Sequence, residues 1–224
     1  MQKQIRALIF DFDGLIVDTE VPDYESWQEV YRDHGCEFPL EKWAKILGGD
    51  DLTGFDPFDF LEESYGKPID RQAIWIKRRR RDAEVMIRQP ILPGVEDCLF
   101  QAKEKGLLLA VASSSPESWV RGHLTRLGLW EHFDVVRTAD DVAATKPAPD
   151  LFLSVCLALG VQTDEAIVFE DSPNGVTAAN AANIYAVAVP NAVTELLDLS
   201  HADLILGSLA EISLDELILK AANR

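Results

Sequence analysis

The sequence predicts an α/β protein: a doubly wound parallel sheet interrupted near its start by a wholly helical insertion. Three observations carry the prediction. Short apolar runs recur along the chain, each ending abruptly in polar or glycine-containing sequence. Segments of helical length separate most of them. One stretch, residues 18–89, contains no such run and shows helical spacing instead.

The first strand is expected at Ala7-Leu8-Ile9-Phe10, and others at residues 107–112, 166–169, 185–189 and 203–206. Their hydrophobicity is continuous rather than alternating, as a strand covered on both faces by helices requires. In the insertion, Trp27, Val30 and Tyr31, and later Ile74 and Ile76, follow helical spacing, and Trp27, Trp43 and Trp75 are expected in its core. Pro90 and Pro93, within Gln89-Pro90-Ile91-Leu92-Pro93-Gly94, enforce an extended link back to the sheet. Helices follow at residues 93–106, 116–127, 149–160 and 173–182, which completes the strand-helix-strand repetition of a parallel sheet. Ser115-Pro116 and Ser172-Pro173 each offer a capping hydroxyl and then a proline at the first helical position, where its missing N–H costs nothing. Gly106, Gly128 and Gly160 stand where helices stop.

The 224 residues suit one domain with a modest insertion, and 47% apolar with 26% charged residues is ordinary for a soluble globular chain. With 38 acidic against 21 basic residues the net charge is −17, which repels phosphate backbones and anionic lipid alike. No nucleic-acid or membrane role is expected. Cys36, Cys98 and Cys156 are odd in number and widely spaced, and read as reduced core residues. The apolar stretch before Asp11 is too short for a signal-peptide core, so the cytoplasm is the expected compartment, and a monomer the expected state.

Four segments at strand ends carry chemistry. In Phe10-Asp11-Phe12-Asp13-Gly14, two carboxylates at i and i+2 follow the first strand, where open α/β sheets place their ligand crevice. Taken alone this is also an Asp-rich turn; a calcium loop is disfavoured because Leu15, Ile16 and Val17 offer no side-chain oxygens. Ser113-Ser114-Ser115 ends the second run at the mouth of a helix, an anion cradle in which Ser115 is expected to cap the helix. Lys146, in Thr145-Lys146-Pro147-Ala148-Pro149, is held between prolines. Glu170-Asp171 follows another buried run, and adjacent acids at such a place repel each other unless a cation joins them.

In order and character these four segments resemble the haloacid dehalogenase superfamily, and the helical insertion after the first resembles the cap of its beta-phosphoglucomutase-like subgroup. The resemblance covers essentially the whole chain. It implies a Rossmann-like core from residues 1–17 and 90–224 and an all-α cap over residues 18–89. It further implies Asp11 as a nucleophile forming an aspartyl-phosphate, Asp13 as general acid and base, and Ser113, Ser114 and Lys146 as the phosphate-binding set. The implied Mg²⁺ ligands are Asp11, the backbone carbonyl of Asp13 and Asp171, with Glu170 a ligand or a supporting partner. Phosphoryl transfer depends on positioning and on offsetting charge over the equatorial oxygens, which Mg²⁺ and Lys146 would supply amid four carboxylates.

The expected activity is therefore a Mg²⁺-dependent phosphatase of small phosphorylated metabolites such as sugar phosphates. Asp13 disfavours the metal-free dehalogenase branch. A mutase is the alternative, but the resemblance calls for a cap histidine where this chain has Asp23. A non-catalytic binding protein is the third reading. Lys77-Arg78-Arg79-Arg80-Arg81 is expected as a solvated face paired with Asp82 and Glu84, or else as the source of one arginine aimed at substrate. Gly48-Gly49-Asp50-Asp51 is either a loop over the site or a plain interhelical turn, and Thr19 and Glu20 lie at the hinge. His34, His123, His132 and His201 share no motif and are expected in structural or surface roles.

Overall fold

The computed structural model describes residues 4–47 and 55–224; the Gly48-Gly49-Asp50-Asp51 segment lies outside them. Six parallel strands form one sheet: β1 (Ala7–Phe10), β2 (Leu108–Ala112), β3 (Val135–Arg137), β4 (Ala166–Glu170), β5 (Tyr185–Ala188) and β6 (Leu204–Ile205). Their order is β3-β2-β1-β4-β5-β6. β1 is central, with Ala7 opposite Leu108 on one side and Ala166 on the other.

The continuous apolar runs resolve into two faces of different size. Leu8, Phe10, Leu109, Val111, Ile167, Phe169 and Val187 point to one face, where they meet α5 (Val95–Glu104), α6 (Glu117–Arg126) and α9 (Leu214–Ala222). Ala7, Ile9, Ala110, Ala112, Ala166, Val168, Ala186 and Ala188 point to the other, against α7 (Asp150–Leu159) and α8 (Pro173–Ala181). Small side chains on the second face leave room for those two helices to lie close to the strands, and Leu151, Phe152, Val155 and Cys156 fill the gap from the helix side.

The insertion forms α1 (Glu20–Asp33), α2 (Leu40–Leu47), α3 (Pro57–Tyr65) and α4 (Arg71–Met86), with a separate core built largely of aromatic rings. Phe38 stacks on Tyr31 at 4.6 Å and packs near Trp43 and Phe55. The two phenolic hydroxyls of this core each find a backbone acceptor: Tyr31 donates to Pro57 O at 2.5 Å and Tyr24 to Phe38 O at 2.8 Å. Asp56 and Asp70 cap α3 and α4 through their side chains. Trp27 and Trp43 are buried here as expected, whereas Trp75 is 54% exposed.

Several expected boundaries move. Ser172 caps α8 with Pro173 in the first turn, but Pro116 itself is the N-cap of α6 and Ser115 caps nothing. The strand expected over residues 203–206 shortens to two residues. β3 and α9 have no counterpart among the elements the sequence predicts: the first is a three-residue edge strand, half-buried throughout, and lacks a continuous apolar run.

The two segments that join the insertion to the sheet pair with each other. Leu92 N–H donates to Ile16 O at 2.9 Å, and Val17 bridges Ile91. Arg126 anchors the second segment through both terminal guanidinium nitrogens, each 3.1 Å from Gln89 O. The return into the sheet layer then depends on Gly94, which has φ 85° and whose Cα faces the backbone of Leu209 and Ala210 so closely that a Cβ would overlap it. A left-handed non-glycine costs about 1–2 kcal/mol before any clash. Gly94→Ala is accordingly expected to destabilise the fold by about 2–4 kcal/mol, a drop of roughly 5–15 °C in Tm by thermal unfolding.

Candidate active site

The carboxyl ends of β1, β2 and β4 meet where the strand order reverses about β1, the place at which a crevice opens in a doubly wound sheet. Asp11 follows β1 directly and is tied to β4 by its N–H to Phe169 O at 2.9 Å. Ser113 follows β2 and donates its N–H to Arg137 O of β3 at 3.0 Å. Glu170 ends β4, with Asp171 next. Lys146 reaches in from the loop before α7. Its ammonium donates to Ala112 O at 2.7 Å and to Asp11 Oδ1, and ion-pairs with Glu170 Oε1 at 2.5 Å. The Glu170 contact is an ion pair only, since Glu170 Oε1 is buried without a hydrogen-bond partner among the described residues.

The charges involved are almost wholly withdrawn from solvent. Asp11 is 6% exposed, Asp171 4% and Glu170 0%. Burial pushes the Asp11 carboxyl up to about 8, against the pull of Lys146 and with added repulsion from Glu170 and Asp13. Burial likewise holds Asp171 well above the carboxylate range, and Asp11 and Glu170 add to it. Burial opposes the Lys146 charge, but the neighbouring Asp11 and Glu170 carboxylates outweigh that and hold its ammonium above the usual lysine value. One lysine therefore does not balance the acids around it.

Asp11, Glu170 and Asp171 each present a carboxylate oxygen, all within 4.8 Å of one another. An all-oxygen donor set suits a hard divalent cation, and a cation here would oppose the upward shifts that burial and mutual repulsion impose on Asp11 and Asp171. The backbone is shaped around these acids. Gly14 takes φ 78°, and a Cβ there would fall on the Asp171 carboxylate; a Cβ on Gly175 would overlap that of Glu170. Asn191 donates from its side-chain amide to Asp171 Oδ2 at 2.8 Å, while its own Oδ1 accepts from Val193 N–H and Thr194 N–H. Asn191 lies 20 residues beyond Asp171, and no feature of its local sequence singled it out.

Asp13 stands apart from this trio. Its Oδ2 accepts from Ser115 Oγ at 2.7 Å and from Ser113 Oγ at 3.3 Å, and its Oδ1 accepts from the Trp119 indole at 2.8 Å. The hydroxyl expected to cap α6 is thus directed at Asp13 instead. Ser113 is fully buried, and its Oγ also accepts from Ser115 N–H, whereas Ser114 is exposed at the rim of the crevice. Trp119, one turn into α6, carries no motif that would have marked it.

The helical insertion roofs the crevice, leaving a cavity of about 950 Å³ between them. Thr19 and Glu20 enter it from the hinge, Trp75, Arg78 and Arg79 from α4. Thr19 occupies the N-cap position of α1 without a capping hydrogen bond; Asp18 Oδ1 instead accepts from Val21 N–H. Burial pushes the Glu20 carboxyl up to about 8, helped by Asp13 and Asp23. The basic run on α4 is sorted by partner. Lys77 pairs with Asp33 at 2.6 Å, Arg80 with Glu84 at 3.1 Å, and Arg81 with Glu29. Arg78 pairs with Asp23 and, at 3.5 Å, with Asp82, and lies 4.0 Å over the Trp27 ring, so it belongs to the packed interior rather than a solvated face. Arg79 alone of the five has no ion pair among the described residues, and it lines the cavity.

Comparison with known proteins agrees with this architecture. Residues 8–189 match the family described as haloacid dehalogenase-like hydrolase. YhcW of Bacillus subtilis (strain 168), a phosphatase by name, is 46% identical over 94% of this chain and 94% of its own. A phosphorylated carbohydrates phosphatase of Thermotoga maritima is 32% identical over 80% of this chain and 82% of its own. Among solved structures, a beta-phosphoglucomutase from Clostridium difficile superposes with a TM-score of 0.74 at 25% identity, covering 98% of each chain. The chain belongs to the haloacid dehalogenase-like hydrolases.

Proposed function

We propose that the protein is a Mg²⁺-dependent phosphatase of small phosphorylated metabolites, sugar phosphates among them, that works through a phosphorylated Asp11. The observation that carries the reading is the Asp11 carboxylate itself, buried at the switch point of the sheet, oriented by Lys146 through Oδ1 and flanked by Glu170 and Asp171. The sugar-phosphate reading draws support from the named activity of the Thermotoga maritima relative. The same reading takes the substrate from solution in the cytoplasm, with the enzyme acting as a monomer; among the described residues no helix is long and apolar enough to cross a membrane.

Asp11, Glu170, Asp171 and the backbone carbonyl of Asp13 would hold the cation, which offsets the charge on the phosphoryl oxygens and on the carboxylates around them. An Asp11 oxygen forms a bond to phosphorus as the ester P–O bond breaks, and Asp13 gives the departing oxygen a proton. Asp13 then takes a proton from water, whose oxygen attacks phosphorus and frees both phosphate and Asp11. Ser113 and Ser114 donate to the transferring group at the end of β2. Lys146, which lines the cavity, keeps Asp11 oriented and offsets charge on the transferring group. Glu20, whose carboxyl burial raises to about 8, and Arg79 face the remainder of the substrate, the first from the hinge and the second from the roof. A mutase finds less support: at the cap position where it calls for a histidine, Asp23 is engaged by Arg78.

Rapid acid quenching during turnover of a ³²P-labelled substrate is expected to leave a labile phosphate on the peptide containing Asp11. Label on any other peptide would refute the assignment, and Asp11→Asn should lower kcat by at least about 10³-fold. Exhaustive chelation is expected to abolish turnover and added Mg²⁺ to restore it; undiminished activity after chelation would refute the cation requirement. Arg79→Ala is expected to cost about 10-fold to 100-fold in kcat/KM on phosphorylated sugars while leaving a small aryl phosphate unaffected, because one charge-assisted hydrogen bond remote from phosphorus is lost.

A further inference from the structure

We propose that Trp119 is the positioning residue for the Asp13 carboxylate, holding it in the orientation that its proton-transfer work requires; the inference rests on the reading of Asp13 as acid and base. Both carboxylate oxygens are engaged, but by donors of different kinds. Oδ2 faces two hydroxyls, Ser115 at 2.7 Å and Ser113 at 3.3 Å, and a hydroxyl can turn from donor to acceptor. Oδ1 faces the Trp119 indole N–H at 2.8 Å, and an indole N–H only donates. Rotating the carboxyl by half a turn would bring a protonated oxygen against a group that cannot accept. Trp119 therefore assigns the two oxygens fixed roles, Oδ1 as a permanent acceptor and Oδ2 as the oxygen that carries and releases the proton.

The indole is itself held rigidly. Its ring lies 4.3 Å from that of His123, and His123 in turn packs against Phe12, the residue between Asp11 and Asp13, with ring centroids 6.1 Å apart. Arg126 stands 3.3 Å from His123 Nδ1 and reaches Gln89 O on the second hinge segment. The support thus comes from α6 and from the chain that flanks Asp13. Among the described residues, none of the insertion's four helices hydrogen-bonds the Asp13 carboxylate. Trp119 also lines the cavity.

The test compares two substrates of nearly equal size that differ in leaving group, p-nitrophenyl phosphate and phenyl phosphate. Nitrophenolate departs with little need of a proton, whereas phenolate needs one more, and kcat/KM reports the step in which it leaves. Trp119→Phe, which keeps a ring against His123 but removes the donor, is expected to lower kcat/KM by about 10-fold to 100-fold on phenyl phosphate and by less than about 3-fold on p-nitrophenyl phosphate. Equal losses on both substrates, or none on either, would overturn the proposal. Asp13→Asn serves as the reference. If it shows the selective loss and Trp119→Phe does not, the positioning role fails alone; if Asp13→Asn shows no selectivity, the acid role of Asp13 fails first. A second measurement needs no change at Trp119. The indole N–H resonance of Trp119 in the full-length protein is expected to lie downfield, protected from exchange, and to move on Asp13→Ala. An unmoved resonance would overturn the proposal even if Trp119→Phe fails to fold.

Discussion

The contact on which the site depends is the burial of the Lys146 ammonium among Asp11, Glu170 and the Ala112 carbonyl. Charges removed from water are tolerated only when paired and hydrogen-bonded, and removing one partner of such a set leaves an uncompensated charge in the interior. The strands supply two of these partners from opposite sides of β1, the Ala112 carbonyl from β2 and Glu170 from β4, while Asp11 comes from β1's own end. The lysine consequently ties three adjacent strand ends together. Its side chain also passes over the Phe152 ring of α7, with the ammonium 5.2 Å from the ring centroid, so the helix layer and the charged cluster share one residue.

Most of the sheet was legible because strands buried on both faces must be continuously apolar, and such runs are rare elsewhere in the chain. β3 escaped for the complementary reason: at the sheet edge Val135, Val136 and Arg137 are each only half-buried, so no run is required of them. The residues at strand ends, Asp11, Asp13, Ser113, Glu170 and Asp171, are legible because polar groups immediately after buried strands have few structural uses, and Lys146 because prolines fix its loop. The structure brings all of them to one crevice. Ser115 reads as a cap in the sequence because a serine before a proline is an ordinary helix start, and only the three-dimensional turn of the chain directs its hydroxyl to Asp13. Trp119 and Asn191 were not legible at all. Their relevance depends on which way a helix faces and where a loop returns, and neither leaves a local pattern.

The acidity of the chain takes on a different meaning once charges are placed. Its surface acids pair with, or surround, most of the basic residues of α4, and the carboxylates of the crevice are held close together by backbone shape. Gly14 and Gly175 contribute by having no side chain where Asp171 and Glu170 need room. On the proposed function, an anionic substrate would meet a local field set by Lys146, a cation held by the acids and Arg79 rather than by the net charge, which at physiological ionic strength is screened beyond about 8 Å.

Val193 and Leu197 belong to a loop that follows β5, yet they pack into the aromatic core of the insertion, where Val193 is 1% exposed. The helical unit thus borrows part of its interior from the sheet unit. Lifting it away would return Val193 to water at a cost of about 1.5–3 kcal/mol, besides what its neighbours lose. The two units are for that reason coupled through a shared contact, even though each has a core of its own. The same short loop carries Asn191, which holds Asp171. Strain applied at the roof accordingly has a mechanical route of two residues to the acid cluster, separate from the paired hinge segments.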